Sequence, residues 1–443
     1  MTITIQGGGG TETISSGSGD NLGLSQVIAS NLSTLFENNN LATTTISGGG
    51  NVPSPVPPTG GTQTELVLSG AGASTVAPGW NFVILNGASP LTVSGADAVF
   101  LGGDTGNTFF ASGTSTIAAA GGNNAMSVGG SYLVSTASGN DTIFASGTGT
   151  VASGAGTNIV VSNAGPGGDF INSSGTNDLV VAASGNNTVT ASGNGTGILN
   201  SGTGDLVVSV TGSNAIVATG AGPATVSAST DVAVFFGGGS LQFVGAGNAS
   251  IIGSSGGTDA VTVGGSALFS SGTNNTATIQ GGSGDTTVFG GSGSVVNYTG
   301  SVGGAVMVAF GGNETLSAAA SSTSNFLVGS SDSTGSQLLI GGSGSDTLVA
   351  AAGTATMAGG AGSDAFVFFK SGTVGAHDFI TDFDPTADSL LLIGYSTAQS
   401  AASIISAATV GPAGPTITLS DNTEITFTNL ISASQLSGKV FYG

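Results

Sequence analysis

The chain has 443 residues, 81 of them glycine, with 2 Lys/Arg against 23 Asp/Glu and a formal net charge of −21. No basic patch can form, which excludes nucleic acid as a partner and disfavours anionic membrane surfaces. Hydrophobic residues make up 39% and charged residues 6%, the reverse of a disordered acidic chain, and the glycines follow no G-X-Y period, so a folded, non-collagenous protein is expected. There is no cysteine to form a disulfide. No apolar run reaches the ~18 residues of a membrane-crossing helix, so no membrane insertion is expected. The start, MTITIQGGGG, lacks the basic and apolar regions of a Sec or Tat signal.

Residues 1–51 form a distinct head. Thr2 to Ile5 alternates polar and apolar residues and predicts a short strand. Between Asp20 and Asn39, Leu24, Val27, Ile28, Leu32, Leu35 and Phe36 recur at three- and four-residue spacing, which predicts one helix with a single apolar stripe. Two readings of it stay open: a cap on the end of a solenoid, or a docking element for a neighbouring subunit. Residues 52–64 contain VPSPVPPTGG and predict an extended, semi-rigid linker.

Residues 65–340 carry short apolar triplets between Gly/Ser/Asn turns. Turns begin at Gly175, Gly185, Gly193, Gly202, Gly212 and Gly220, so alternate turns recur at an even spacing close to two nonapeptides. GNDTIF at Gly139 and GGSGDTTVF at Gly281 join the series, the latter with Asp285 one place early. The spacing predicts an all-β, right-handed parallel β-solenoid or β-roll of about 18 residues per turn, with a small N-terminal helical segment. Taken over residues 65–370 at ~4.8 Å per strand, roughly 17 turns would make a rod ~80 Å long.

Residues 341–370 give the period a chemical purpose. Gly341–Val349 reads GGSGSDTLV and Gly359–Val367 reads GGAGSDAFV; both match G-G-x-G-x-D-x-U-x, where U is a large apolar residue. The glycines allow a tight turn that aims backbone carbonyls at one point, and the Asp adds a carboxylate. Oxygen donors without sulfur or imidazole suit Ca²⁺. Gly341 and Gly359 lie two nonapeptides apart, so their turns stack on one edge. Candidate metal residues there are Gly342, Gly344, Asp346, Gly360, Gly362 and Asp364. The unit between them has Ala355 in place of the Asp, so the opposite edge is expected to be metal-free. Phe366, Phe368 and Phe369 are expected to plug the solenoid end, and residues 371–443 to form a β cap.

These nonapeptides resemble the RTX calcium-binding repeat. The segment DFITDFDPTADSLLL from Asp378 resembles the element that follows the β-roll in serralysin-type proteins, with Asp382 and Asp388 at acidic positions; Thr386 and Leu391 depart from that pattern. The resemblance implies Ca²⁺ as cofactor, further metal ligands at Asp382 and Asp388, and type I secretion through a signal near Leu436–Gly443. It also implies an extracellular location at the surface of a Gram-negative bacterium, and similarity to surface-layer and matrix proteins. The expected partners are further copies of the chain, in a lattice or filament, and cell-surface polysaccharide. An adhesin or a polysaccharide- or ice-binding rod is the alternative, drawn from the T-x-T pairs Thr188/Thr190, Thr276/Thr278 and Thr354/Thr356.

An enzyme is not expected. The single histidine, His377, cannot supply H-E-x-x-H, and there is no arginine. Asp231 and Asp259 are not marked as a catalytic pair and read as turn formers.

Overall fold

The computed structural model describes residues 2–7, 10–15, 22–56, 60, 62–300, 302–370, 375–395 and 399–443. Asp20, Pro57–Thr59 and residues 371–374, all named above, lie outside them. Cα packing divides the chain into two compact units, Met1–Ala224 and Thr225–Gly443. Each is a parallel β-solenoid whose turn is two nonapeptides long, as the pairings Leu179 with Gly197 and Ala249 with Ala267 show.

In the first unit, successive strands alternate between two sheets. Leu179–Ser184, Gly197–Asn200 and Ala215–Ala218 pair in parallel on one. Phe170–Ser173, Asn187–Ala191 and Leu206–Val210 pair on the other. Equal steps lead from Thr108 through Ala125 and Thr142 to Ile159, and the step on to Leu179 is longer. The added residues fall in the turn, where Asn177 adopts φ 56°. Asparagine tolerates that left-handed backbone because its short side chain bonds locally.

Alternation at period two decides what is buried. Phe109, Met126, Ile143, Val160, Val180, Ile198 and Val217 form one inward column, all 0–2% exposed. Each such side chain contributes ~1.5–3 kcal/mol. Ordering one turn costs roughly 20 kcal/mol of backbone entropy or more. A lone turn therefore cannot fold, and stacking is obligatory.

Stacking also explains the glycines. A Cβ on Gly193 would lie 1.5 Å from the Gly175 carbonyl oxygen of the neighbouring turn.

In the first unit the parallel ladder includes residues before 65: Leu41–Ser47 and Gly50–Val52 pair with Gln63–Ser69 and Gly72–Val76. In the second unit it includes residues past 370: Ala365–Phe369 pairs with Ser389–Ile393, and that strand with Val440–Tyr442. The three phenylalanines thus do not plug the end. Phe366 and Phe368 are buried mid-stack, where Phe366 meets Phe383 at 5.8 Å and Phe383 meets Phe427 at 5.4 Å. Nor is the proline segment free of the body: the Trp80 indole N–H donates to the Pro53 carbonyl at 3.0 Å.

The helix α1 spans Leu22–Glu37. Ile28, Ala29 and Leu32 pack on Val67, Ile84, Leu101 and Ala118, which point outward from their strands. The helix therefore covers the outer face of a sheet. Val27, placed on its apolar stripe, is exposed. Before it, Thr2–Gly7 and Gly10–Ser15 pair as an antiparallel hairpin. Among the described residues no helix is long and apolar enough to cross a membrane.

Replacing Gly193 with Ala is expected to destabilise the first unit by about 1–3 kcal/mol, because backbone must shift to admit the methyl. Gly411→Ala, where a Cβ meets nothing within 4 Å, should stay within about 0.5 kcal/mol of the parent. Denaturant midpoints of the two variants provide the comparison.

Candidate metal centre

Where a strand gives way to a turn, a backbone N–H loses its sheet partner. A buried N–H left so costs ~1–3 kcal/mol. In the first unit this donor is met by a side chain from the next turn. Leu91 N–H donates to Asn107 Oδ1 at 3.0 Å, Asn107 N–H to Asn124 Oδ1 at 2.8 Å, and Asn124 N–H to Asp141 Oδ1 at 2.8 Å. Asp141 N–H donates to Asn158 Oδ1 at 3.0 Å, and Asn158 N–H to Asp178 Oδ1 at 2.7 Å. All five side chains are buried. The residues were not singled out from the sequence, although a signal existed: each is an Asn or Asp two places before an inward apolar residue, as in Asn124-Ala-Met126 and Asp141-Thr-Ile143.

Asp346 and Asp364 occupy this same position in the second unit, two places before inward Leu348 and Phe366. Asn325 N–H donates to Asp346 Oδ1 at 2.6 Å, Asp346 N–H to Asp364 Oδ1 at 2.7 Å, and Asp364 N–H to Asp388 Oδ1 at 2.9 Å. The structure thus stacks Asp346, Asp364 and Asp388 on one edge, and all three are buried.

The chemistry differs from the first unit in one respect. There, asparagine separates the acids and donates to them: Asn124 Nδ2 to Asp141 at 2.9 Å, Asn158 Nδ2 to Asp178 at 3.1 Å. From Asp346 to Asp388 no amide intervenes.

The glycines fix how each acid is satisfied. A Cβ on Gly341 would meet Asp346 Oδ2 at 2.5 Å, and one on Gly359 would meet Asp364 Oδ2 at 2.4 Å. Gly342 N–H bonds Asp346 Oδ2. In the next turn the equivalent Gly360 N–H goes instead to Asp382 Oδ2 at 2.8 Å, while Gly359 N–H goes to Asp382 Oδ1 at 2.9 Å. Asp364 Oδ2 is left buried without a hydrogen-bond partner. Burial, opposed by the Asp346 N–H and reinforced by the charges of Asp388, Asp346 and Asp382, pushes the Asp364 carboxyl up to about 6. Burial raises Asp388 as well. Asp141 Oδ2 is also unpartnered, but asparagines flank that acid on both sides.

Gly360 and Gly362 take φ 94° and 124° and lie over the carbonyl oxygens of Gly342 and Gly344. Ala361 N–H donates to the Gly342 carbonyl at 2.9 Å. The oxygen donors of these turns, carboxylate and backbone carbonyl, fit Ca²⁺ in kind. Among the described residues no group of three or more His, Cys, Asp or Glu side chains could hold a metal by itself. A cation at this edge would therefore draw most of its ligands from backbone carbonyls.

Of the remaining acids, Asp378, Asp231 and Asp259 accept N–H groups of neighbouring turns. Ala355 N–H on the opposite edge donates to Asp378 Oδ1 at 2.7 Å. Asp285 is exposed, and Thr286 takes the buried position instead. Asp231 accepts from Asn248 N–H at 2.8 Å, and Asp259 accepts from Asn275 Nδ2 at 2.6 Å. His377 Nε2 lies 2.9 Å from Thr426 Oγ1, and Nδ1 lies 3.7 Å from Glu424. Thr426 is buried and its hydroxyl also bonds Thr416, so it is held within the sheet.

No family model, curated protein or solved structure matches this chain.

Burial raises the Asp378 carboxyl to about 7. Its folded value thus stands above its unfolded one, near 3.8. The folded chain holds a proton that the unfolded chain releases, so this contribution is complete below pH ~4 and lost as pH rises towards ~7. Asp378→Asn keeps the acceptor for Ala355 N–H and removes the charge. It is expected to stabilise the chain by about 2–4 kcal/mol at pH 8 and to be near neutral at pH 4. Calorimetry in chelator at both pH values tests this, and no gain at pH 8 refutes it.

Proposed function

We propose that the protein is a secreted structural chain that self-associates into a surface layer or filament, and that Ca²⁺ at the Asp346–Asp364 edge completes the fold of its C-terminal section. The observation that carries this reading is the run of three stacked carboxylates, Asp346, Asp364 and Asp388, with one orphaned oxygen. Carboxylates held together in a solenoid edge repel each other, and a bound divalent cation would neutralise them. Binding free energy would then become folding free energy. A chain of this kind stays loose where Ca²⁺ is scarce and sets where it is plentiful, which suits export and assembly outside the cell. Asp346, Asp364 and the carbonyls of the two GGxGxD turns would hold the ion, with Asp382 and Asp388 closing the next turn. The proposal includes no catalytic role.

A threonine column gives some support to a glycan- or ice-binding rod. Thr258, Thr276, Thr315 and Thr356 align outward on one sheet of the second unit, but Val295 and Leu338 interrupt them. The column is therefore not a continuous lattice, and self-association is preferred.

Saturating calcium, at ~100 times its dissociation constant, is expected to stabilise the second unit by about 2.7 kcal/mol. That corresponds to a rise in Tm of roughly 5–10 °C. Asp346→Ala with Asp364→Ala should abolish the calcium-dependent rise, and equal rises in parent and variant would remove the metal claim. Electron micrographs with calcium should show lattices or filaments that disperse in chelator. Monomers in both conditions would defeat the structural reading.

A further inference from the structure

The first unit contains an internal measure of what its outward residues are for. On the sheet that α1 covers, one outward column runs Val67, Ile84, Leu101, Ala118 and then Ser135, Ala152, Asn172, Thr190 and Ser209. The column is apolar beneath the helix and mostly polar beyond it. A second outward column of the same sheet alternates Thr150, Phe170, Thr188 and Val207, so its exposed apolar residues stand singly.

The other sheet of the same unit carries a denser exposed apolar set. It comprises Leu91–Ala96, Thr108–Ser112, the first halves of Ala125–Thr136 and Thr142–Ser153, then Ile159–Ala164, Leu179–Ser184, Gly197–Asn200 and Ala215–Ala218. Phe144, Ile159, Leu179, Leu199 and Ile216 point outward from it and are 40–53% exposed. No described element lies over them. None of these strands carries a charged residue.

We infer that this sheet face is the surface through which one copy of the chain packs on another. This inference rests on the structural reading above and names the face that reading requires. Three features choose a second copy. Two chains of net charge −21 repel wherever acidic turns meet, so contact needs a charge-free face. A second copy presents the same ~4.8 Å strand pitch, which lets the two sets of ridges interdigitate, as in stacked sheets ~10 Å apart. Eight strands of about five residues present ~500 Å² per copy, or ~1,000 Å² in all, at the lower bound for a specific interface. Association of this face is accordingly weak and concentration-dependent, and an isologous pairing uses it on both copies.

Sedimentation velocity on the full chain across a wide concentration range tests the inference. The parent should associate, and Leu179→Glu/Leu199→Glu should weaken association about tenfold or more, ~1.4 kcal/mol. Thr188→Glu/Thr190→Glu, on the opposite sheet, should leave it unchanged, with circular dichroism confirming that both variants fold. Because the chain lacks cysteine, a single Leu199→Cys should give a covalent dimer on oxidation. If the parent assembles and both Glu variants assemble equally, the face is wrong while the structural reading stands. If the parent is monomeric at every concentration, with and without calcium, both fall. Flotation of a monomeric parent with neutral phosphatidylcholine vesicles would also overturn the inference, by assigning the face to lipid.

Discussion

The fold depends on one recurring hydrogen bond, from a turn's backbone N–H to the side-chain oxygen of an Asn or Asp in the next turn. Strand-to-strand bonds cannot serve the corner, where the chain leaves the sheet plane and the amide points along the stack. Asn and Asp are short enough to stand in the corner and carry an sp² oxygen there. Asn107 to Asp178 do this over five consecutive turns. An exposed series runs the other way at the outer rim, where Thr157 N–H donates to Asn140 Oδ1 and Ser213 N–H to Asn194 Oδ1 of the preceding turn. Turns held so closely bring carbonyls against the Cα atoms of their neighbours, and glycine follows from that contact. The Gly, Asn and Asp content is therefore one requirement expressed in several residue types.

The choice between Asn and Asp then sets the electrostatics. Both accept the corner N–H equally well, but only Asn can also donate. In the first unit, Asn124 and Asn158 each pass an amide hydrogen to the acid beyond them. Asn325 does the same for Asp346 in the second. After Asp346 the donors stop, and Asp364 and Asp388 follow directly. The GGxGxD turn is thus a ladder turn whose acids have lost their neutral spacers. A cation bound there, as proposed, would substitute for the missing donors.

Much of this was legible in advance. The even spacing of the turns, the alternation along each strand and the helical stripe from Leu24 to Phe36 are patterns of apolar residues, and apolar burial drives each element. The edges of the pattern were harder to read. Leu41–Ser47 stacks on Gln63–Ser69 across an interval longer than the regular turn, and the intervening prolines read as a linker. The phenylalanines of Ala365–Phe369 read as a plug because three fall together, yet Phe366 packs on Phe383 and Phe383 on Phe427 within the stack, and aromatics such as Phe109 and Phe243 already fill the core before them. The ladder itself went unseen because a turn-forming Asn and a ladder Asn look alike in sequence. Only the register, which sets Asn124 above Asn107, separates them.

Register also shows that the outer faces obey no structural demand. A solenoid needs its inward columns filled and its corners bonded, and either outward face could be polar. In the second unit one sheet presents Thr258, Thr276, Thr315 and Thr356. The other presents Phe235, Ile252, Phe289, Val308 and Val328, with Ser270 among them. Both sheets are parallel ladders of short strands, and Val295 and Leu338 interrupt the threonines on the first. Outward β-branched and aromatic residues favour strand geometry, but threonine does so equally and remains soluble. A mainly apolar outer face exposes a chain to misassembly. Under the proposed self-association, that exposure is the contact face itself.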